Sequence, residues 1–381
     1  MSLALAFALL SAALAPAQDA PAYQPQGQDE RGLWMQMDEE ERRIRASNFV
    51  IRDAALNEYV RGVLCRTVGP RCREVRLYLM RTPYFNAAMA PNGMMHVWSG
   101  LFLRVRDEAQ LAAVLDHEFT HYEEQHSLKI FRDIKNKTST FSFLSVPLAI
   151  FTGGLGATAA QAALFASITG FSRDQELAAD AGSVRMLAAA GYDPAAASRV
   201  WRQIREERDA TAAMRRHKPR GEDAIFGSHP TTAERMATLA QLAQAQARPG
   251  AIDLGRERYR AALAPHWASF VDDQIKLNDF GGTELLLNEL ARDGWTADLL
   301  YAKGELYRAR GYPADMGDAA TAYRAAIAAG NAPAEAHRGL GLALLRKGNT
   351  AAGQAALRDY VKAKPDAKDG AMMAQLAGQG S

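Results

Sequence analysis

Two histidines four residues apart with a carboxylate between them are placed to share one metal ion, and the chain has this arrangement in the run His117-Glu118-Phe119-Thr120-His121. On a helix, positions i and i+4 lie on one face a turn apart, so both imidazoles can reach the same Zn²⁺. Glu118 then stands where it can take a proton from water, whose pKa zinc lowers from 15.7 to about 7. This is the chemistry of amide-bond hydrolysis. A match this short arises by chance in on the order of one chain in a hundred of this length, given ordinary residue usage. The surrounding residues must therefore carry the argument.

They begin with the helix itself. Asp107 is a capping residue with Gln110 three positions on, and Leu111, Val114, Leu115, Phe119 and Tyr122 form an apolar stripe, which predicts a helix over 107–126. His117 and His121 fall beside that stripe, which favours metal ligands over two satisfied core histidines. His126 lies five residues past His121, on a different face of a continuous helix, and is read as a structural or surface residue.

A catalytic zinc takes three protein ligands and keeps one position open. Glu176-Leu177-Ala178-Ala179-Asp180 supplies the third ligand as Glu176, and Asp180, one helical turn on, can hold a histidine ligand by its free N–H and fix its tautomer. The competing reading is an exposed acidic face on an alanine-rich helix. Zinc ligation by His117, His121 and Glu176 implies one Zn²⁺ per chain.

These residues resemble the gluzincin peptidases related to HtpX and the CAAX prenyl proteases, which carry His-Glu-x-x-His on one helix and Glu-x-x-Ala-Asp on the next. The likeness extends upstream to Asn86-Ala87-Ala88-Met89-Ala90-Pro91-Asn92-Gly93 and downstream to His229-Pro230 with Arg235, covering about residues 30–245 in four motifs. The resemblance implies that His229 and Arg235 steady the tetrahedral intermediate. The chemistry agrees, because an oxyanion needs cationic or N–H donors and both residues can donate. The alternatives are a loop or capping role for His229 before Pro230, an exposed helix partner for Arg235, and a latent state in which His229 fills the open zinc position.

The elements that must position these groups are legible in outline. Residues 74–80 and 94–98 read as strands, the second following a Pro-Asn-Gly turn signal, and 86–90 reads as an edge that could hold a substrate extended by its main chain, or as an ordinary hairpin strand. Residues 141–172 carry no charge, but Pro147, Gly153-Gly154 and Gly156 interrupt them. That favours a buried helical hairpin over a membrane-inserted segment. Cys65 and Cys72 suit either a disulfide in an oxidising compartment or two buried thiols. Residues 1–17 read as a signal peptide ending in Ala15-Pro16-Ala17, without the usual basic start, which implies export to a periplasm; an uncleaved anchor is the alternative.

The alanine-rich composition after about residue 250 marks a second unit, giving a division into 1–17, 18–245 and 246–381. Gly304, Tyr307, Ala319, Tyr323 and Ala326, then Leu340, Gly341, Leu357 and Pro365, follow a tetratricopeptide pattern with an insertion near Tyr312-Pro313-Ala314-Asp315. The fold class is thus α+β, mainly α: a gluzincin-type zinc peptidase domain with a small β-sheet, followed by an all-α tetratricopeptide-like domain. A formal net charge of +2 leaves no strong footprint for nucleic acid, and the basic run at 215–220 reads as a solvated loop. Together these readings point to an exported zinc endopeptidase acting on unfolded or misassembled envelope proteins, with repeats that can bind substrates or envelope assembly proteins. The rival is a mainly non-catalytic periplasmic chaperone or assembly scaffold that uses the repeats.

Overall fold

The computed structural model describes residues 23–137, 171–215, 233–247 and 252–378. The apolar amino terminus, nearly all of 141–172, the basic run beyond Arg215, and His229 with Pro230 lie outside the described residues.

Within them, helices dominate a single small sheet. The amino-terminal half comprises α1 (Gly27–Ala46), α2 (Ala54–Val68), a 3₁₀ turn (Gly69–Glu74), strands β1 (Arg76–Met80), β2 (Ala87–Met89) and β3 (Met94–Trp98), then α3 (Ser99–Arg104), α4 (Glu108–Glu123), α5 (His126–Lys137), α6 (Arg173–Ala189), α7 (Ala196–Arg215) and α8 (Ala233–Gln246). The sheet order is β1-β3-β2, with β3 parallel to β1 and antiparallel to β2, so β2 is an outer strand. Pro91-Asn92-Gly93 makes the β2–β3 turn: the Met94 N–H donates to Asn92 Oδ1 (3.1 Å) and the Ala90 N–H to Met94 O (2.7 Å). Gly93 has φ +89°, and a Cβ there would sit 2.4 Å from Glu74 O, so the turn requires glycine twice over. A Cys65–Cys72 disulfide ties the last turn of α2 to the 3₁₀ turn.

α4 is buried along nearly its whole length, which a one-sided apolar stripe does not convey. Asp107 caps it by accepting from the Gln110 N–H (2.8 Å), and Gln110 Oε1 accepts in return from the Arg106 N–H (2.8 Å). The helix stops at Glu123, earlier than its sequence predicts, because Gln125 adopts a left-handed φ of 54° and α5 starts afresh at His126. α6 lies close against α4. A Cβ on Gly182 would meet the Thr120 side chain at 2.3 Å, and the Ser183 hydroxyl donates to Ala113 O (2.7 Å).

The carboxy-terminal helices are α9 (Arg256–Leu263), α10 (Trp267–Ile275), α11 (Phe280–Leu290), α12 (Ala297–Arg310), α13 (Asp315–Ala328), α14 (Glu335–Arg346), α15 (Thr350–Ala363) and α16 (Gly370–Leu376). The main core runs from Leu56 through Phe102, Leu115, Leu187 and Ile204, and continues without a break into Tyr259, Phe270, Leu287 and Leu306. The buried Tyr259 hydroxyl donates to Phe102 O (2.6 Å), and Arg104 bridges Glu207 on α7 and Gln274 on α10. A second cluster around Met316, Tyr323, Leu340 and Leu344 holds the later helices together. There Gly304 lets α12 approach Tyr323, where a Cβ would come within 2.6 Å of the ring, and Gly341 does the same against Leu357. No helix of the described residues is long and apolar enough to cross a membrane.

Candidate metal centre

α4 and α6 bring His117, His121 and Glu176 together, all buried, with one potential ligand atom from each within 4.8 Å of the others. The two Nε2 atoms are 3.1 Å apart, and a Glu176 oxygen lies 3.6 Å from each ring. Ligands about 2.0–2.1 Å from a tetrahedral zinc stand roughly 3.3 Å from one another, so the set is of the right span. The outward-facing ring nitrogens are also engaged. His117 Nδ1 faces Asp180 Oδ1 at 3.0 Å, and His121 Nδ1 lies 2.8 Å from His126 Nδ1. Such partners fix which nitrogen is left for a metal.

Glu118 is buried on α4 between the two histidines, and its charge is felt at Arg235. Arg235, on α8, is buried against this cluster. Its Nε and Nη2 donate to the two Asp180 oxygens (2.6 and 2.7 Å), Nη1 lies 2.8 Å from Glu176 Oε2, and Nη2 comes within 3.5 Å of the His117 ring. The guanidinium also stacks over Trp201 of α7 at 4.5 Å, and the same indole stands edge-on to His117. On the other side, the Phe171 ring lies 3.9 Å from that of His121, nearly parallel.

Charge balance tests whether a divalent cation fits. Among the described residues, three buried carboxyl groups, Glu118, Glu176 and Asp180, gather at the two imidazoles beside the Arg235 guanidinium, an excess of acidic over basic side chains that suits a divalent cation. The pull of these acids shows at His117. Burial opposes a charged ring, yet the Asp180 and Glu176 carboxylates outweigh it and push the imidazole up to about 9. The anions that would hold a proton there would equally hold a metal ion. Asp180 itself is pushed up by burial and brought lower still by Arg235 and His117, so its net shift is downward.

The sequence reading placed His117, Glu118, His121, Glu176, Asp180 and Arg235 in one site, and the structure brings those six together; His229 lies outside the described residues. Arg235, which the family resemblance implies for the oxyanion, also turns its nitrogens to Asp180, Glu176 and His117. Two residues were missed. His126 returns to His121 because the chain turns at Gln125, a position with none of the glycine or asparagine signals of a helix end. Trp201 is brought in by the packing of α7, and nothing local announces it. From His121 a cavity of about 50 Å³ runs past Met89 and Pro91 at the end of β2.

Comparison with known proteins agrees with this geometry. The chain is 30% identical over 176 residues to a putative beta-barrel assembly-enhancing protease of Vibrio cholerae, a match covering 44% of this chain and 36% of that protein. It is 28% identical over 217 residues to the mitochondrial metalloendopeptidase OMA1 of Schizosaccharomyces pombe, covering 55% and 60%. It is 24% identical over 231 residues to the beta-barrel assembly-enhancing protease of Escherichia coli, covering 58% and 45%. The chain thus spans about a third to three fifths of the length of these relatives. The model of peptidase family M48 matches residues 51–243, which hold all the described residues of the metal centre, and the chain belongs to that family.

Proposed function

We propose that the chain is a zinc metalloendopeptidase that hydrolyses peptide bonds of unfolded or misassembled envelope proteins. His117, His121 and Glu176 hold one zinc ion, which when bound supplies a Lewis acid that brings water within reach of ionisation near neutral pH. Glu118 takes the proton from the attacking water and returns it to the leaving amine. Asp180 and His126 fix the two imidazoles in the orientation that turns Nε2 inward. Arg235 holds Asp180 and Glu176 in place, and with His229 supports the charge that develops on the scissile carbonyl oxygen. The outer edge of β2 pairs with the substrate main chain, which tolerates varied side chains.

The observation that carries this reading is the buried set of two imidazoles and a carboxylate whose ligand atoms have a metal-binding span. Export to a periplasm, a substrate-binding role for the repeats, and contact with envelope assembly proteins through them draw support from the amino-terminal sequence, the helical tail and the names of the bacterial relatives. Casein cleavage by wild type and Glu118→Gln, with zinc content measured in both, tests the core of the proposal. The variant should keep its zinc and lose about 10²–10⁴-fold in rate; equal rates would dismiss it.

A further inference from the structure

Arg235 is held by its edges. Nε and Nη2 donate to Asp180 and Nη1 faces Glu176, so every nitrogen of the guanidinium is directed to a carboxylate lying at the rim of its own plane. Such bonds fix where the group sits along that plane but tolerate modest tilts out of it. What meets the flat face is the Trp201 indole, with the guanidinium carbon 4.5 Å from the ring centroid. A cation over an aromatic face is attracted by the ring quadrupole, most strongly where water is excluded. Both residues are buried, Arg235 at 5% and Trp201 at 6% exposure.

α7 presents the indole because Ala197, Val200, Trp201 and Ile204 recur at helical spacing and are all buried. The ring is braced in turn. Phe85, on the loop that leads into β2, meets it at 5.9 Å and 71°, and His117 meets it at 6.2 Å and 73°. Between Trp201, His117, Asp180 and Ser183 a cavity of about 10 Å³ remains, room for one water at most. A smaller side chain at position 201 would enlarge that space and put solvent where the ring now covers the guanidinium.

We propose that Trp201 is a positioning residue of the metal centre: its ring face holds the Arg235 guanidinium level with the Asp180 and Glu176 carboxylates, and through them keeps His117 and Glu176 aimed at one ion. The assignment rests on the reading of His117, His121 and Glu176 as zinc ligands. An indole offers a metal no lone pair, since its nitrogen is a donor only. Trp201 therefore acts through Arg235, and its effect lies in how tightly the ion is held.

Chelator competition on the full chain, paired with melting of the zinc-free protein, tests this. Trp201→Leu keeps an apolar side chain but loses the ring face, and zinc affinity should fall about tenfold, the lower end of what losing a ligand's supporting partner costs. Trp201→Phe keeps a ring face and should stay within about threefold of wild type. Both variants remove volume, so both should lower the melting temperature of the zinc-free protein, but only the first should loosen the ion. In an Arg235→Gln background Trp201→Leu should cost no further affinity, because the group it acts through is gone. Should Trp201→Leu not fold, Trp201→Met, whose flexible chain fills more of the gap, takes its place in both comparisons. Wild-type affinity in Trp201→Leu, equal weakening by Trp201→Phe and Trp201→Leu, or an undiminished loss in the Arg235→Gln background would each overturn the assignment. A wild type that takes up no zinc would overturn the reading on which it rests, and the assignment with it.

Discussion

The two ends of α4 meet the same problem, buried carboxylates, in opposite ways. At the amino-terminal end Glu108 and Asp253 face Arg66 and Arg258: Arg258 Nη2 donates to both acids at 2.7 Å, Arg66 reaches both as well, and the Tyr59 and Tyr192 hydroxyls complete the shell of Glu108. Two acids meet two cations, and the group is neutral within the chain. At the other end three carboxylates and two imidazoles share Arg235. A network closed on itself serves stability; a cluster of imidazoles and carboxylates offers the donor atoms that a divalent cation takes. The same helix thus carries a structural clasp at one end and an acceptor for a divalent cation at the other.

Metal removal is the broadest way to break this comparison. Zinc at about a thousandfold excess over its dissociation constant should stabilise the wild type by about 4 kcal/mol, seen as a melting temperature that falls on chelation and recovers with zinc. Glu176→Gln should make melting nearly insensitive to both treatments. A wild type that melts identically with and without chelator would mean that the carboxy-terminal end is as self-sufficient as the other.

Next comes Asp180→Asn. It removes the anion that faces His117 Nδ1 and weakens the acceptor for Arg235 Nε and Nη2, so zinc affinity should fall about 10–100-fold. His126→Leu should act in the same direction through His121 and less strongly, because a neutral ring rather than a carboxylate is lost. Competition with a chromogenic chelator measures both, and unchanged affinity in Asp180→Asn would remove that residue from the metal centre.

How these residues could be read from sequence follows from how local their signals are. Asp107, Gln110 and the histidine spacing act within one or two turns, so the zinc helix and its start are legible. Asp180 follows Glu176 by one turn and is legible for the same reason. His126 is not, since continuing α4 past Glu123 carries it to a different face, and only the left-handed Gln125 brings it back. Arg235 is recognisable from its motif, but its partners lie 55 and 59 positions away, and no periodicity encodes that contact. In the tail, Gly304 and Gly341 mark close helix approach. The faces by which α9–α11 join the peptidase core are set by packing alone.

At the closed end, Glu108→Gln should destabilise the fold by about 1–3 kcal/mol without changing zinc affinity, because it strands buried donors. Its pH dependence has a definite sign. Burial pushes the Glu108 carboxyl up, but Arg258, Tyr192 and Tyr59 outweigh it and hold its pKa below the usual carboxylate range. A depressed folded-state pKa contributes stability above the unfolded value of about 4.3 and loses it as pH falls through the folded value. Chemical unfolding of the chelated proteins between neutral and acid pH should show a steeper acid loss in wild type than in Glu108→Gln.

The smallest effect belongs to Arg258→Ala. Its side chain is half exposed, and Glu108 keeps Arg66 and both tyrosines, so the loss should stay at or below about 1 kcal/mol, or a few degrees of melting temperature. Salt sharpens the point, because an exposed pair is screened while a buried one is not. The gap between wild type and Arg258→Ala should therefore narrow at high ionic strength, whereas that for Glu108→Gln should persist. Zinc affinity is the decisive companion measurement. Were Arg258→Ala to shift it, strain at the clasp would be reaching the ligands along α4, and the two ends would have to be treated as one coupled network rather than a closed clasp and an open acceptor.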